Sequence, residues 1–570
     1  FCGTVGLIPR KIKGKLSHVK KAQPGDKIIM VGGRVGKDGI HGATFSSEEL
    51  DPNSPVTAVQ IGDPITQKKF SDVIIRELRG ENLYSSITDN GAGGLSSSVG
   101  EMAKESGGFI INLEKVPLKY EGLYPWEIWI SESQERMTLA VLPKNVKKVI
   151  SIFNKRGVEA TSIGKFTKNR KAIVRYNNID VMNIDMEFLH EGYPKLQLKT
   201  LKPTIVKIKK TKLKKHPYKN ELLTLLASPN ICSKEFISTQ YDHEVQATSI
   251  VKPLQGRGRV FVDSTAIKPL FESNQSLALS QAAFPRYADL DAYKMAACSI
   301  DTAVRNLVVL GADLKKIALL DNFCWCSPDE AERLYQLKRA AEACRDYALI
   351  YLTPFISGKD SMYNDFNGFN EKNNNKKISI PPTLLISSMG IVNDVNDLIK
   401  ISPSSNDLLY VLGATFDELG GSEYGHIFGY ENTQVPGVNA AQAKKLYTTF
   451  SKANKYQLIN SAISVHMGGL VIALAKMSIA SQQGMELNLS SINSFGSTNI
   501  LFSETQSRIV ASINSANKKK FEQLFANQSC TLIGKNISKK IFTCNISKKD
   551  SFRVSISDLT TAYKKNIQNL

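Results

Sequence analysis

GGLSSSVGEMA (residues 93–103) and GGLVIALAKMS (residues 468–478) decide how this 570-residue chain is read. Both open on Gly-Gly-Leu. Both then place apolar residues at helical spacing: Leu95, Val99 and Met102 in the first, Leu470, Leu474 and Met477 in the second. Three further pairs keep the same order. PGDKIIMVGG (24–33) matches SNDLLYVLGA (405–414), SESQERM (131–137) matches SETQSRI (503–509), and SIGK (162–165) matches LIGK (532–535). Along the chain the offset between partners drifts from 381 to 375, 372 and 370, as shortened loops would make it. Four collinear pairs argue for two related α+β or α/β domains, at 1–180 and 396–570. A Gly-Asp turn leads each into a buried strand, at residues 28–31 and 408–412.

Between the copies lie a basic, Pro-containing linker (181–225) and a different domain (226–395). The latter carries helical patterns at 293–311 and 328–347. Two apolar runs, 317–320 and 349–352, read as strands with polar residues beyond their ends. Those residues are Asp321 and Asn322 in one case, and Gly358, Lys359, Asp360 and Ser361 in the other. Open α/β folds place ligands at such positions. The Asn-rich residues 364–375 read as a loose loop.

Bulk properties narrow the classes. The chain is 42% hydrophobic and 22% charged, as globular proteins are. No apolar run reaches the ~18–20 residues of a membrane span. Net charge is +20, concentrated in lysine runs such as residues 202–219. Without a recognition motif or interleaved aromatics, these read as solvated surface, and nucleic acid is not expected as a partner. The eight cysteines show no zinc-like spacing and read as reduced thiols, which points to the cytoplasm. Phe1 opens a stretch that reads as interior sequence, so a fragment of a longer protein is expected.

Few motifs carry chemistry alone. Gly33, Gly36, Gly39 and Gly42 recur at every third residue but do not fit the dinucleotide fingerprint, and Gly358-Lys359 lacks the upstream Gly of a P-loop. Asp89 precedes the Gly-rich helix start, where an acid either caps the helix or holds Mg²⁺ beside phosphate. At the local offset its counterpart is Ser464, so only the first copy keeps the carboxylate. Glu132 and Gln134, if on a strand, share a face with Ser133 between them. Asp321 and Asn322 could form a Mg-nucleotide pair. His41 is an acid–base candidate or a loop histidine bonded to backbone.

Eight segments appear in order: GDKIIMVGGRVGKDGIHGATFSSEEL, VQIGDP, ITDNGAGGLSSSVGEMA, WISESQERM, SQAAFPRYADLDAYKMAACSIDTAVRNLVVLGAD, LLDNFCW, FISGKDSM and LFSETQSR. Together, over essentially the whole chain, they resemble the synthetase subunit of phosphoribosylformylglycinamidine synthase. The resemblance implies aminoimidazole-ribotide-synthetase-like domains in a duplicated arrangement, with three of four domains present and the first N-type domain missing. Residues 1–180 and 396–570 would be the C-type domains and 226–395 the second N-type domain. It implies ATP-dependent amidation of formylglycinamide ribonucleotide through an iminophosphate, with Mg²⁺. Ammonia would come from a separate glutaminase subunit, with a small bridging subunit as a further partner.

By the same resemblance Gln60, Glu132, Ser133, Gln134 and Ser361 contact substrate. Asp321 and Gly358 contact ATP, and Asp89 and Asp360 hold metal. Lys359 stands where small forms of the enzyme carry an Asn metal ligand. In the second C-type domain Ile463, Ser464, Val465 and His466 replace His-Asp-x-Ser, which bears on its auxiliary nucleotide site. No catalytic acid or base is assigned. The competing expectations are an inactive basic scaffold and a related ATPase resembling aminoimidazole ribotide synthetase.

Overall fold

The computed structural model describes residues 3–45, 48–49, 62–204, 217–240, 244, 246–370, 374–430, 434–492 and 496–565. They form two compact units, Phe1–Gln197 with Asn364–Ile378, and Leu198–Tyr363 with Ser379–Leu570.

The first unit is built on a seven-stranded sheet: β1 (Lys27–Gly32), β2 (Ser86–Asp89), β3 (Gly108–Asn112), β4 (Arg136–Val141), β5 (Ala160–Thr167), β6 (Lys171–Tyr176) and β7 (Ile179–Asp185). Their spatial order is β2-β4-β1-β5-β3-β6-β7, and only β3 and β6 pair in parallel. Strand alternation divides β1 between two cores. Ile28 and Met30 pack on one side with Leu95, Val99 and Met102 of α2 (Gly94–Ser106). Ile29 and Val31 pack on the other with Phe70 of α1 (Pro64–Val73) and with Val149 and Phe153 of α4 (Val146–Lys155). The short helix α3 (Pro125–Ile130) precedes β4.

In the second unit a six-stranded sheet comprises β8 (Ser249–Val251), β9 (Ser264–Ile267), β10 (Ser276–Ala282), β11 (Ile317–Cys324), β12 (Phe355–Gly358) and β13 (Thr383–Val392). Its order is β8-β9-β10-β13-β11-β12, with β11 and β12 parallel. The nearly all-buried α7 (Ala288–Leu310) and α8 (Ala331–Tyr351) join its core. The second copy follows as β14 (Leu408–Leu412), β15 (Ser461–Val465), β16 (Gly484–Asn488), β17 (Arg508–Ile513), β18 (Cys530–Ile537), β19 (Ile541–Asn545) and β20 (Ser551–Ser555). Their order, β15-β17-β14-β18-β16-β19-β20, repeats that of the first sheet strand for strand.

The repeat extends to a defect. Along the β1–β5 pair the register jumps from Ile28↔Gly164 to Ile29↔Ser162, leaving Ile163 unpaired. Along β14–β18 it jumps from Leu409↔Gly534 to Tyr410↔Leu532, leaving Ile533. Both isoleucines turn into the core. A Cβ on Gly164 or Gly534 would come within 2.3 or 2.1 Å of a neighbouring carbonyl oxygen, so glycine is required at both bulges.

Three expectations are corrected. The stretch 181–225 is not wholly linker. It holds most of β7, then α5 (Met186–Glu191), then α6 (Tyr218–Leu226), whose Leu222, Leu225 and Leu226 are fully buried in the second-copy core. Its lysine run at 205–216 lies outside the described residues. The apolar run 349–352 is the end of α8. Leu352 takes a left-handed cap at φ 61°, Leu349 is 67% exposed, and the strand begins only at Phe355. The Asn-rich segment carries two short paired strands, Asp365–Phe369 and Asn375–Ser379.

Candidate functional site

In the first unit the Gly-Gly of residues 93–94 starts α2 with both glycines left-handed (φ 72° and 56°). A Cβ on Gly94 would lie 2.0 Å from the Ser131 carbonyl oxygen, so the helix start can approach the segment before β4 only without a side chain. Glu132 locks this junction. Its Oε1 accepts from the Gly93 amide (3.0 Å) and its Oε2 from the Ala43 amide (2.9 Å). Ser133, fully buried, accepts from the Gly36 amide (3.0 Å) and donates to Asp38 Oδ1 (2.8 Å), while Ser131 donates to the Gly36 carbonyl (2.7 Å). Lys119 Nζ lies 2.9 Å from both Asp38 oxygens. Burial works against the Asp38 charge, but Lys119 and Ser133 outweigh it and hold the carboxyl below the ordinary range.

The glycine-spaced loop is thereby stapled to the Ser-Glu-Ser-Gln segment. A Cβ on Gly32 would meet the Glu135 oxygen at 2.1 Å, and one on Gly36 would meet Asp38 Oδ1 at 2.6 Å. Gly39 and His41 take left-handed φ values of 75° and 63° to turn the loop. Residues 131–135 are irregular, bending at 134–135, and not a strand, so Glu132 and Gln134 do not share a strand face as expected. Glu132 is 3% exposed and its carboxylate faces backbone amides. Gln134, half-buried, donates from Nε2 to the Glu132 carbonyl (2.7 Å). Asp89 ends β2 and is exposed, with Oδ1 accepting from the Gly91 amide (2.9 Å). Gln60 lies outside the described residues.

In the second unit Asp321, on β11, pairs with Gly358 at the end of β12. A Cβ on Gly358 would lie 2.5 Å from Asp321 Oδ1, so only glycine lets the carboxylate stand there. The Lys359 amide donates to the Asp321 carbonyl (3.0 Å) and the Ser361 amide to the Phe323 carbonyl (2.8 Å), which fixes the Gly-Lys-Asp-Ser turn against β11. Lys359 Nζ reaches the Asp360 carbonyl and Ser361 Oγ, each at 3.4 Å. Burial, with the negative charge of Asp360 nearby, pushes the Asp321 carboxyl above its ordinary range. Among the described residues no group of three or more His, Cys, Asp and Glu could hold a metal. Asp321 with Asp360, and Asp89 separately, suit an ion that takes one or two carboxylates and completes its shell from phosphate and water, as Mg²⁺ does.

The second copy repeats the junction and changes its chemistry. Glu504 Oε1 accepts from the amides of Gly468 (2.8 Å) and Glu423 (3.0 Å), and Oε2 from Tyr287 Oη (2.5 Å). Ser464, where Asp89 has its carboxylate, is buried and accepts from Arg305 Nε (3.2 Å). Arg305 is itself fully buried. It pairs with Asp301 and donates from its second amino group to the Val465 carbonyl (3.1 Å) and Gln506 Oε1 (3.0 Å). Asp301 Oδ1 also accepts from Tyr351 (2.6 Å) and Tyr447 (2.5 Å). Sequence reasoning missed Asp38 and Arg305. Asp38 had a faint signal in its place among the spaced glycines, but Arg305 had none, because its partner Ser464 lies 159 residues away.

Comparison with known proteins agrees with this duplication. Family models for the AIR synthase related protein match twice as the C-terminal domain, at residues 23–177 and 404–545, and once as the N-terminal domain, at 262–392. The chain is similar to the phosphoribosylformylglycinamidine synthase subunit PurL of Methanocaldococcus jannaschii, 34% identical over 98% of this chain and 74% of that protein. PurL of Thermoplasma volcanium is 30% identical over 98% of this chain and 71% of the relative. Among solved structures, Thermotoga maritima PurL complexed with FGAR shares the fold at TM-score 0.64 and 21% identity, covering 92% of this chain and 73% of that one. The same protein complexed with ATP superposes at TM-score 0.60 and 19% identity, covering 91% and 72%.

Proposed function

The chain belongs to the PurL family of phosphoribosylformylglycinamidine synthase subunits, which are ATP-dependent ligases, and on that premise we propose that it amidates formylglycinamide ribonucleotide in purine biosynthesis. The formyl-amide oxygen attacks the γ-phosphorus of ATP and ADP leaves. Ammonia then adds to the iminophosphate carbon, and phosphate departs to give the amidine. The observation that carries this reading is Asp321 beside Gly358 with Asp360 in the same turn, a carboxylate raised chiefly by burial and further by the charge of Asp360. Bound Mg²⁺ would supply neutralisation of phosphate charge there and at Asp89.

The remaining roles belong to the chain's own groups. Gly358 lets the nucleotide come close to the β12 backbone. Gln134, Ser361 and Gln60 are each assigned to substrate binding. Glu132 and Ser133 act by holding Gln134 and the glycine loop in place. Ammonia comes from a glutaminase partner, and a small bridging subunit joins the two; the Thermotoga maritima PurLQS structure is a neighbour of this fold. Cys232, Cys298, Cys324, Cys344, Cys530 and Cys544 are free thiols, in keeping with a cytoplasmic setting.

The test is ammonia-dependent ADP formation with formylglycinamide ribonucleotide. Asp321→Asn is expected to lower kcat/KM by ~10²-fold or more without moving the unfolding midpoint. An Asp321→Asn protein with undiminished turnover would overturn the assignment.

A further inference from the structure

We infer that Glu49 and Lys377 are positioning residues that tie the Gly-Lys-Asp-Ser turn to the glycine-spaced loop through the chain itself, an inference that rests on the ligase reading above. The course of the chain points to it. Leu198–Tyr363 and Ser379–Leu570 belong to the second unit, but Asn364–Ile378 belongs to the first. The chain therefore leaves the turn at Ser361, enters the first unit just past Tyr363, and returns at Ser379 to lead into β13.

The exit from the turn is held. Tyr363 takes a left-handed φ of 55°, a conformation that a bulky residue keeps only where its surroundings impose it. Its Oη donates to Asp329 Oδ2 (3.2 Å), just ahead of α8. The Lys359 and Ser361 amides are already bonded to β11. Beyond Tyr363 the strands Asp365–Phe369 and Asn375–Ser379 pair as a hairpin. At its turn the Asn370 amide donates to the Asn374 carbonyl (2.9 Å), and the Asn374 amide to Asn370 Oδ1 (2.9 Å).

The hairpin grips the first unit at one carboxylate. Lys377 Nζ, on the returning strand, lies 3.4 Å from Glu49 Oε1, and Asn367 Nδ2, on the outgoing strand, donates to Glu49 Oε2. Asp365, whose side chain is enclosed, holds Lys377 from below at 3.3 Å. Asp365 and Asn367 share a strand face, so one side of the hairpin makes the whole grip. An exposed ion pair alone contributes little. Bonds from both strands to one carboxylate fix a place instead. Glu49 stands four residues after the short helix Gly42–Phe45, whose Ala43 amide is held by Glu132 (2.9 Å). The glycine-spaced loop is thus held by the Ser-Glu-Ser-Gln segment at one end and by the hairpin at the other. A shift of the turn on nucleotide binding reaches the loop through the held exit and the paired strands. By linkage, a substrate that settles the loop favours the same position of the turn.

The test is hydrogen exchange of the full protein with and without ATP and Mg²⁺, followed in peptides that span residues 36–45, beside ammonia-dependent ADP formation with formylglycinamide ribonucleotide. ATP is expected to slow exchange of the loop amides in the parent. Glu49→Gln and Lys377→Met are expected to abolish that slowing and to raise the KM for formylglycinamide ribonucleotide ~10-fold, with the KM for ATP and the melting curve unchanged. Lys377→Arg keeps the charge and is expected to retain both the slowing and the parent KM. A parent loop that ATP does not protect, or protection and KM that survive in both Glu49→Gln and Lys377→Met, would overturn the inference. Protection by ATP in a parent that shows no turnover would overturn the ligase reading and leave the coupling standing.

Discussion

The two copies of the C-type domain share a strand order, a bulge and a carboxylate-locked Gly-Gly helix, yet they treat one position in opposite ways. In the first copy it is Asp89, exposed and charged. In the second it is Ser464, buried under Arg305 of α7. The scaffold does not dictate which. Glu132 and Glu504 accept backbone amides at matching points, so the junction folds in either case. What differs is whether the strand end is left facing water or is sealed by a neighbouring helix. A fixed guanidinium then supplies internally the positive charge that an exposed acid would draw from outside. If Asp89 holds metal as proposed, duplication has separated a position for chemistry from a position for stability.

The strongest way to break this contrast is to remove the internal cation. Arg305→Leu leaves Asp301 buried with two tyrosine hydroxyls and the amide and hydroxyl of Ser507 but no counter-charge. A loss of ~3–5 kcal/mol is expected in urea unfolding of the second unit. The double variant Asp301→Asn/Arg305→Leu should lose clearly less than the sum of the single changes, because the uncompensated charge is gone. Additive losses would mean that Arg305 acts by packing alone.

Next come the two equivalent positions themselves. Asp89→Asn is expected to cut ammonia-dependent turnover by ~10²-fold while changing stability by no more than about 0.5 kcal/mol, as an exposed side chain should. Ser464→Ala should do the reverse, leaving turnover intact and costing ~1 kcal/mol for the lost bond to Arg305. Equal effects on both readouts would dissolve the distinction between the copies.

How far this contrast was legible beforehand follows from where each signal lives. The duplication was readable because its anchors are glycines and short strands whose spacing survives: the offsets 381, 375, 372 and 370 separate the observed starts of β1 and β14, β2 and β15, β4 and β17, and β5 and β18. The asymmetry between Asp89 and Ser464 was readable for the same reason. The depth of Glu132 was not. Alternation along a strand would aim it at a ligand, whereas the irregular segment after α3 aims it at the amides of Gly93 and Ala43. That direction is set by how closely α2 approaches, which only Gly94 permits. The run at 349–352 misled because a helix ending at Tyr351 is as apolar there as a strand, and nothing local announces its left-handed cap at Leu352. Contacts across long separations, such as Arg305 to Ser464, leave no local pattern at all.

The smallest expected effect sharpens the comparison through pH. Glu504 is fully enclosed, and burial pushes its carboxyl up to about 7 despite the three donors that face it. In the unfolded chain it would titrate near 4.5. The folded state therefore favours the protonated form. The stability this gives is complete below about pH 4.5 and is lost as pH rises through about 7. Glu504→Gln is neutral throughout and retains an acceptor for the same amides. Its stability relative to the parent should thus improve between about pH 5 and about pH 8, on the order of 1–2 kcal/mol in urea midpoints converted at constant slope. Glu132→Gln at the matching place in the first copy provides the control. A gap for Glu504→Gln that stays constant across this range would place Glu504 as an ordinary ionised carboxylate. The second junction would then be as charged as a carboxylate can make it, and its difference from the first would rest on Ser464 and Arg305 alone.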